Sequence, residues 1–137
     1  MAHALVVVRS VLFQAAFYIV TAIMLVGTLP LFFIMPQWFG MGVVRTWARV
    51  GVFLHTTIAG TKIEVRGREN IPTGASLVAA KHQSAFETFA LIPLLRNPTI
   101  VMKQSLRLLP IFGQYTIKTG MIHVDRAGKR AALKALS

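Results

Sequence analysis

The sequence predicts an α/β chain: an N-terminal membrane helical hairpin over residues 1–59, then part of an α/β domain over residues 60–137. Three observations carry this. Val11 to Met35 is a run of 25 residues without a charge, and a segment of that length and composition can cross a hydrocarbon core of about 30 Å. At Gly60 the apolar run gives way to short β-branched stretches punctuated by Gly, Pro and Asn. Charge is distributed unevenly, with 15 Lys and Arg against 4 acidic residues, a net +11, and most of the basic residues lie from Lys62 onward.

The first helix starts near Val11. Gly27 and Pro30 interrupt the apolar run, so that helix is predicted to end or kink near Val26 to Leu29. Pro36 and Trp38 mark a turn at an interface. A second helix is predicted from about Trp38 to Ala59, with Arg45 and Arg49 sharing one face. A charged face on an otherwise apolar helix suits the plane of a membrane interface, so the pair reads as a hairpin dipping into one leaflet. A single crossing helix is the second reading. Thr28-Leu29-Pro30 is a poor signal-peptide cleavage site.

Beyond Gly60, Thr61 to Val65 alternates and predicts a short strand. Gly67 to Gly74 reads as a loop and Ser76 to Ala80 as a buried strand. Ser84 to Leu95 reads as a helix ending near Pro98. Thr99 to Lys103 predicts a second buried strand, Ser105 to Leu109 a short helix stopped by Pro110, and Gly120 to Val124 a third strand. Ala127 to Leu136 begins a further helix.

The absence of cysteine excludes disulfides, thiolate metal sites and cysteine nucleophiles. The positive field attracts polyanions, and beside an apolar N-terminus an anionic membrane surface is the expected partner. Nucleic acid is not expected, because the basic residues are scattered and not interleaved with aromatics.

The run Lys81-His82-Gln83-Ser84-Ala85-Phe86-Glu87-Thr88 carries the chemistry. An imidazole with a nearby carboxylate can take a proton from an alcohol at neutral pH. Ser84 to Glu87 also reads as a capping box, which would put His82 at a strand-to-helix turn. His3, His55 and His123 read as solvated or packed. Lys103, at the end of a predicted strand, would present a cation at a sheet's carboxyl edge. Val124-Asp125-Arg126 ends a strand with a guanidinium beside an acid, suited to phosphate.

Together these residues resemble the glycerolipid acyltransferases, and among them the bacterial 1-acylglycerol-3-phosphate acyltransferases. His82 and Glu87 match the family's His-x4-Asp/Glu signature. Lys103, Leu106, Gly113 and Arg126 match its Lys-x2-Leu-x6-Gly-x12-Arg block, and Val124-Asp125-Arg126 its ending. The resemblance implies acyl transfer from acyl-CoA, or from acyl-ACP with acyl carrier protein as a partner, to a lysophospholipid hydroxyl. It assigns catalysis to His82 and Glu87, phosphate binding to Arg126 and Lys103, and supporting roles to Ser84, Gly113 and Asp125. It calls for no metal and no resident cofactor. It places the protein at the membrane, on the cytoplasmic face of a bacterial inner membrane. The family's Pro-Glu-Gly-Thr-Arg element is absent from the sequence. The expectation is therefore the N-terminal part of such an enzyme, with a catalytically inactive membrane-surface protein or a different lysolipid acceptor as the alternatives.

Overall fold

A computed structural model describes residues 2–81 and 83–125. Two long helices come first. α1 is Ala2–Ile34. At 1.5 Å per residue it spans about 50 Å, and it is the one described helix long and apolar enough to cross a membrane. Its Val11, Ile19, Ile23 and Val26 are each more than half exposed, which suits a lipid solvent.

The predicted end of the first helix near Val26 to Leu29 is corrected: α1 runs through Pro30 to Ile34. Pro30 deletes only one backbone donor, the partner of the Val26 carbonyl, and in an apolar run one lost bond does not end the helix. The neighbouring stretch is held by Tyr115, whose hydroxyl donates to the Leu25 carbonyl at 3.3 Å and pairs with the Thr28 hydroxyl. The helix stops at Pro36 instead. The last regular bond runs from the Met35 amide to the Leu31 carbonyl at 2.9 Å.

α2 is Gln37–Leu54 and continues as a π-helical turn over His55–Ala59. Gly60 closes it at φ 74°, a left-handed end that glycine adopts without a Cβ penalty. The helix predicted from Trp38 to Ala59 is therefore present, less regular in its last turn, where the Thr57 hydroxyl donates back to the Phe53 carbonyl at 2.7 Å.

The described chain divides into two compact units. The first comprises the residues up to Met24 together with Gly42–Pro98. Its core is aromatic. Phe89, 2% exposed, lies 5.2 Å from Phe17 and 6.1 Å from Trp47 between ring centroids. Trp47 donates its indole N–H to Thr21 at 2.9 Å, and Arg9 donates to the Ile58 carbonyl at 2.7 Å. α3, Phe86–Ala90, delivers Phe86 and Phe89 to this cluster. The helix predicted from Ser84 to Leu95 is thus shorter, passing into a 3-10 turn at Ile92–Leu94 where Pro93 removes a donor.

Two predicted strands in this unit are not formed. Thr61 to Val65 and Ser76 to Ala80 have no regular structure. Ser76 to Ala80 was expected to be buried and is exposed, Leu77 at 95%. Both segments have strand composition, but a strand is held by its neighbours, and among the described residues neither finds a partner.

The second unit comprises Leu25–Met41 and the chain from Thr99 onward. β1, Val101–Lys103, pairs in parallel with β2, Ile122–Val124, in the register Val101↔Ile122, Met102↔His123 and Lys103↔Val124. Both strands fall inside the predicted runs, although Val101 is exposed rather than buried. Between them lie a 3-10 turn, Gln104–Leu108, and α4, Phe112–Lys118, as a parallel pair requires. α4 was not expected from the sequence. Tyr115 stacks on Phe32 at 3.7 Å, and Lys118 donates to the Phe32 carbonyl with its ammonium 4.7 Å from that ring. The helix predicted over Ala127 to Leu136 lies outside the described residues.

Candidate active site

Glu87 lies in the first turn of α3. Its carboxylate accepts the Ser84 amide at 2.9 Å, the Gln83 amide at 3.1 Å and the Ser84 hydroxyl at 3.2 Å. The Ser84 Oγ in turn accepts the Phe86 amide at 3.1 Å. The Glu87 carboxylate on the Ser84 amide is one arm of the capping box read from the sequence, while the Ser84 hydroxyl takes the Phe86 amide in place of the Glu87 amide. Phe86 and Phe89 bury one face of α3, so Glu87 projects from the other. Its own backbone N–H, then those of Gln83 and Ser84, hold its carboxyl below the usual carboxylate range against the opposing effect of desolvation. Glu87 is therefore ionised at neutral pH. His82, two residues ahead of Ser84, lies outside the described residues.

The second block belongs to the other unit. Lys103 is the last residue of β1 and pairs with Val124 at the end of β2. Asp125 follows directly. Lys103 and Asp125 therefore come to the carboxyl end of the same parallel pair, the edge where α/β sheets place ligand-binding groups. Arg126 lies outside the described residues.

Gly113 has a steric explanation. A Cβ there would overlap the Arg107 carbonyl oxygen and come within 2.8 Å of its carbon. That close approach follows the turn Pro110-Ile111-Phe112. There the Phe112 amide bonds the Pro110 carbonyl at 2.6 Å, and Ile111 sits at φ 63°, ψ −59°, a strained γ-turn for a β-branched residue.

One polar pair was not anticipated. Thr116, 4% exposed, donates its hydroxyl to the Gly113 carbonyl at 2.7 Å and lies 2.9 Å from His123 Nε2. The single hydroxyl hydrogen is used on Gly113, so His123 Nε2 supplies the other. His123 is packed, as read. His55 is packed too, with Phe13 at 4.8 Å and Phe86 at 4.6 Å. The sequence signal for the Thr116 contact was weak: a threonine in a stretch without an apolar stripe.

Comparison with known proteins bears on the same stretch. The Acyltransferase family model matches residues 62–137, more than half of the chain. A 1-acyl-sn-glycerol-3-phosphate acyltransferase of Pseudomonas aeruginosa is 38% identical over 95 residues, covering 69% of this chain and 37% of the relative. The enzyme of the same name from Saccharomyces cerevisiae is 27% identical over 94 residues, covering 66% and 31%. Lysocardiolipin acyltransferase 1 of Gallus gallus is 30% identical over 107 residues, covering 72% and 28%. The chain thus spans roughly a third of the length of these curated relatives. No solved structure matches it. A family match over that share of the chain, containing both residue blocks, places this chain in the acyltransferase family.

Proposed function

We propose that this chain carries the N-terminal part of the site that moves a fatty acyl group from a thioester donor, acyl-CoA or acyl-ACP, to the sn-2 hydroxyl of lysophosphatidate. One observation supports the reading above the others. The two blocks, His82 to Glu87 and Lys103 to Arg126, stand in order at full family spacing inside the matched residues.

The chemistry follows from these groups. His82 takes the proton of the acceptor hydroxyl as its oxygen attacks the thioester carbonyl carbon. The C–S bond breaks, and the proton held on the imidazole is delivered to the departing thiolate. Glu87, ionised, holds the imidazole tautomer and stabilises the imidazolium. Its carboxylate oxygens already accept from Gln83 and Ser84, so in this reading the imidazole competes with the capping box for them and must be the dominant partner as charge develops. Arg126 and Lys103 bind the acceptor phosphate, with Lys103 as a point charge and Arg126 as a bidentate fork. Asp125 holds Arg126, and Ser84 and Gly113 keep the two blocks in shape. No metal or resident cofactor takes part.

α1 and α2 form a membrane hairpin that keeps this site at the leaflet supplying the lysolipid, on the cytoplasmic face of the bacterial inner membrane. The exposed apolar surface of α1 supports this part of the reading. A different lysolipid acceptor is the second reading, favoured by the similarity to a lysocardiolipin acyltransferase.

The test is an acyl-transfer assay on the purified chain with labelled acyl-CoA and a panel of lysolipids. Phosphatidate formed faster than any other product supports the assignment. Turnover restricted to another lysolipid favours the second reading. No turnover with any acceptor leaves the catalytic reading without support for this chain and favours an inactive membrane-surface protein.

A further inference from the structure

The first unit contains a cleft that the two blocks do not use. It has a volume of about 350 Å³ and is bounded by Arg45, Arg49 and Arg96, with Ile71, Leu94 and Leu95 among its apolar walls. Among the described residues no carboxylate lines it, and the Arg45 Nε, sealed from solvent, has no hydrogen-bond partner.

An unmet donor on a permanently charged group is uncommon in a folded chain. Arg45 lines the cleft beside Arg49 and Arg96 with no carboxylate in the lining, and such a concentration of guanidinium charge calls for an acceptor that is anionic and has several oxygens. Apolar walls strengthen that pairing by lowering the local dielectric. They also suit a short carbon stem attached to the anion. Thr73, on the same rim, adds a hydroxyl. The volume is at the small end of the range for ligand pockets, about 300–1,000 Å³. That fits a phosphate with its glycerol.

The source of the phosphate follows from α2. Its Trp47 packs on Phe17 and Thr21 of α1. At 100° per residue Arg45 and Arg49 stand roughly 160° away from Trp47 around the helix axis. The face toward α1 is apolar and the far face is cationic, the arrangement of a helix lying at headgroup level.

We propose that Arg45, Arg49 and Arg96 form a phosphate-ester site that holds the headgroup of an anionic glycerolipid. The proposal does not rest on acyl transfer, because it is read by binding alone. The two ideas can therefore fail separately.

The full chain in neutral detergent is titrated calorimetrically with dihexanoyl phosphatidate, glycerol 3-phosphate and coenzyme A. The expected result is saturable binding of dihexanoyl phosphatidate, competed by glycerol 3-phosphate. Arg45→Gln and Arg96→Gln should each weaken it at least about tenfold, as loss of a bidentate charged contact does. Arg66→Gln, which removes an exposed residue already paired with Glu64 at 2.7 Å, should leave it unchanged. If Arg45→Gln does not fold, the exposed Arg49 and Arg96 carry the test through Arg49→Gln and Arg96→Gln. Unchanged affinity in the folded arginine variants overturns the site. Arginine-dependent binding of coenzyme A without binding of phosphatidate overturns the lipid assignment.

Discussion

The rings of Phe17 and Phe89 lie 5.2 Å apart, and this contact seats the helix that carries Glu87 on the helix that carries the apolar run. Gly51 leaves the room for it: a Cβ there would stand 3.0 Å from Phe17 and 3.2 Å from Phe89. α3 has only five residues, too few to be stable by propensity. Its position comes from the two aromatic side chains it buries and from the box at its start.

Phe89→Ala should therefore remove the anchor of α3. A fully buried Phe replaced by Ala costs about 3–5 kcal/mol, and the unfolding midpoint in detergent should fall accordingly, with Phe89→Leu intermediate. An unchanged midpoint would contradict this account of α3.

Glycine substitutions give a contrast. Gly113→Ala forces a Cβ into the Arg107 carbonyl and should destabilise by at least about 1–3 kcal/mol. Gly42→Ala, in α2 with nothing within 4 Å of the new methyl, should be neutral or stabilise by about 0.5–1 kcal/mol. Equal effects would show that the crowding at Gly113 is not real.

The capping box predicts a pH dependence. Glu87 has a lowered pKa, so its contribution is present above the ordinary carboxylate value and is lost as pH falls through the lowered one. The stability gap between wild type and Glu87→Gln should stay constant from pH 8 to about 5.5 and close below about pH 4. A gap that closed near pH 6.5 would assign the titration to an imidazole instead. Ser84→Ala should lower stability by about 1 kcal/mol at neutral pH.

Lys118 occupies the acceptor that Pro36 leaves empty. An amide at position 36 would have bonded Phe32, but proline has none, and the Lys118 ammonium takes that carbonyl. Lys118→Met keeps the stem and loses the donor, and should destabilise by about 1–2 kcal/mol at this helix end. Tyr115→Phe should lose about 1 kcal/mol with its bonds to Leu25 and Thr28. Unfolding curves that overlay wild type would remove both side chains from the docking of α4.

The legible parts of the fold were those with a strong local signal. The uncharged run and the Arg45-Arg49 spacing read as helices, and the β-branched runs ending at Lys103 and Val124 read as strands. α4 was missed because its buried face includes Thr116 and carries no apolar stripe, and because Pro110 to Gly113 reads as a turn. Thr61 to Val65 and Ser76 to Ala80 failed for the opposite reason, having strand composition without a partner. At the site, spacing alone located the Ser84-Glu87 box and put Lys103 at the sheet edge. The cleft of Arg45, Arg49 and Arg96 could not be read, because only tertiary packing brings α2 to the segment after α3.

The most direct test of the catalytic reading is the turnover rate of His82→Ala with lysophosphatidate and acyl-CoA, measured on protein shown to be folded and membrane-bound. The account predicts a fall of at least about 10²–10⁴-fold, the usual contribution of a general base, with membrane attachment unchanged. Turnover within a few-fold of wild type would contradict it and take the imidazole at position 82 out of the reaction.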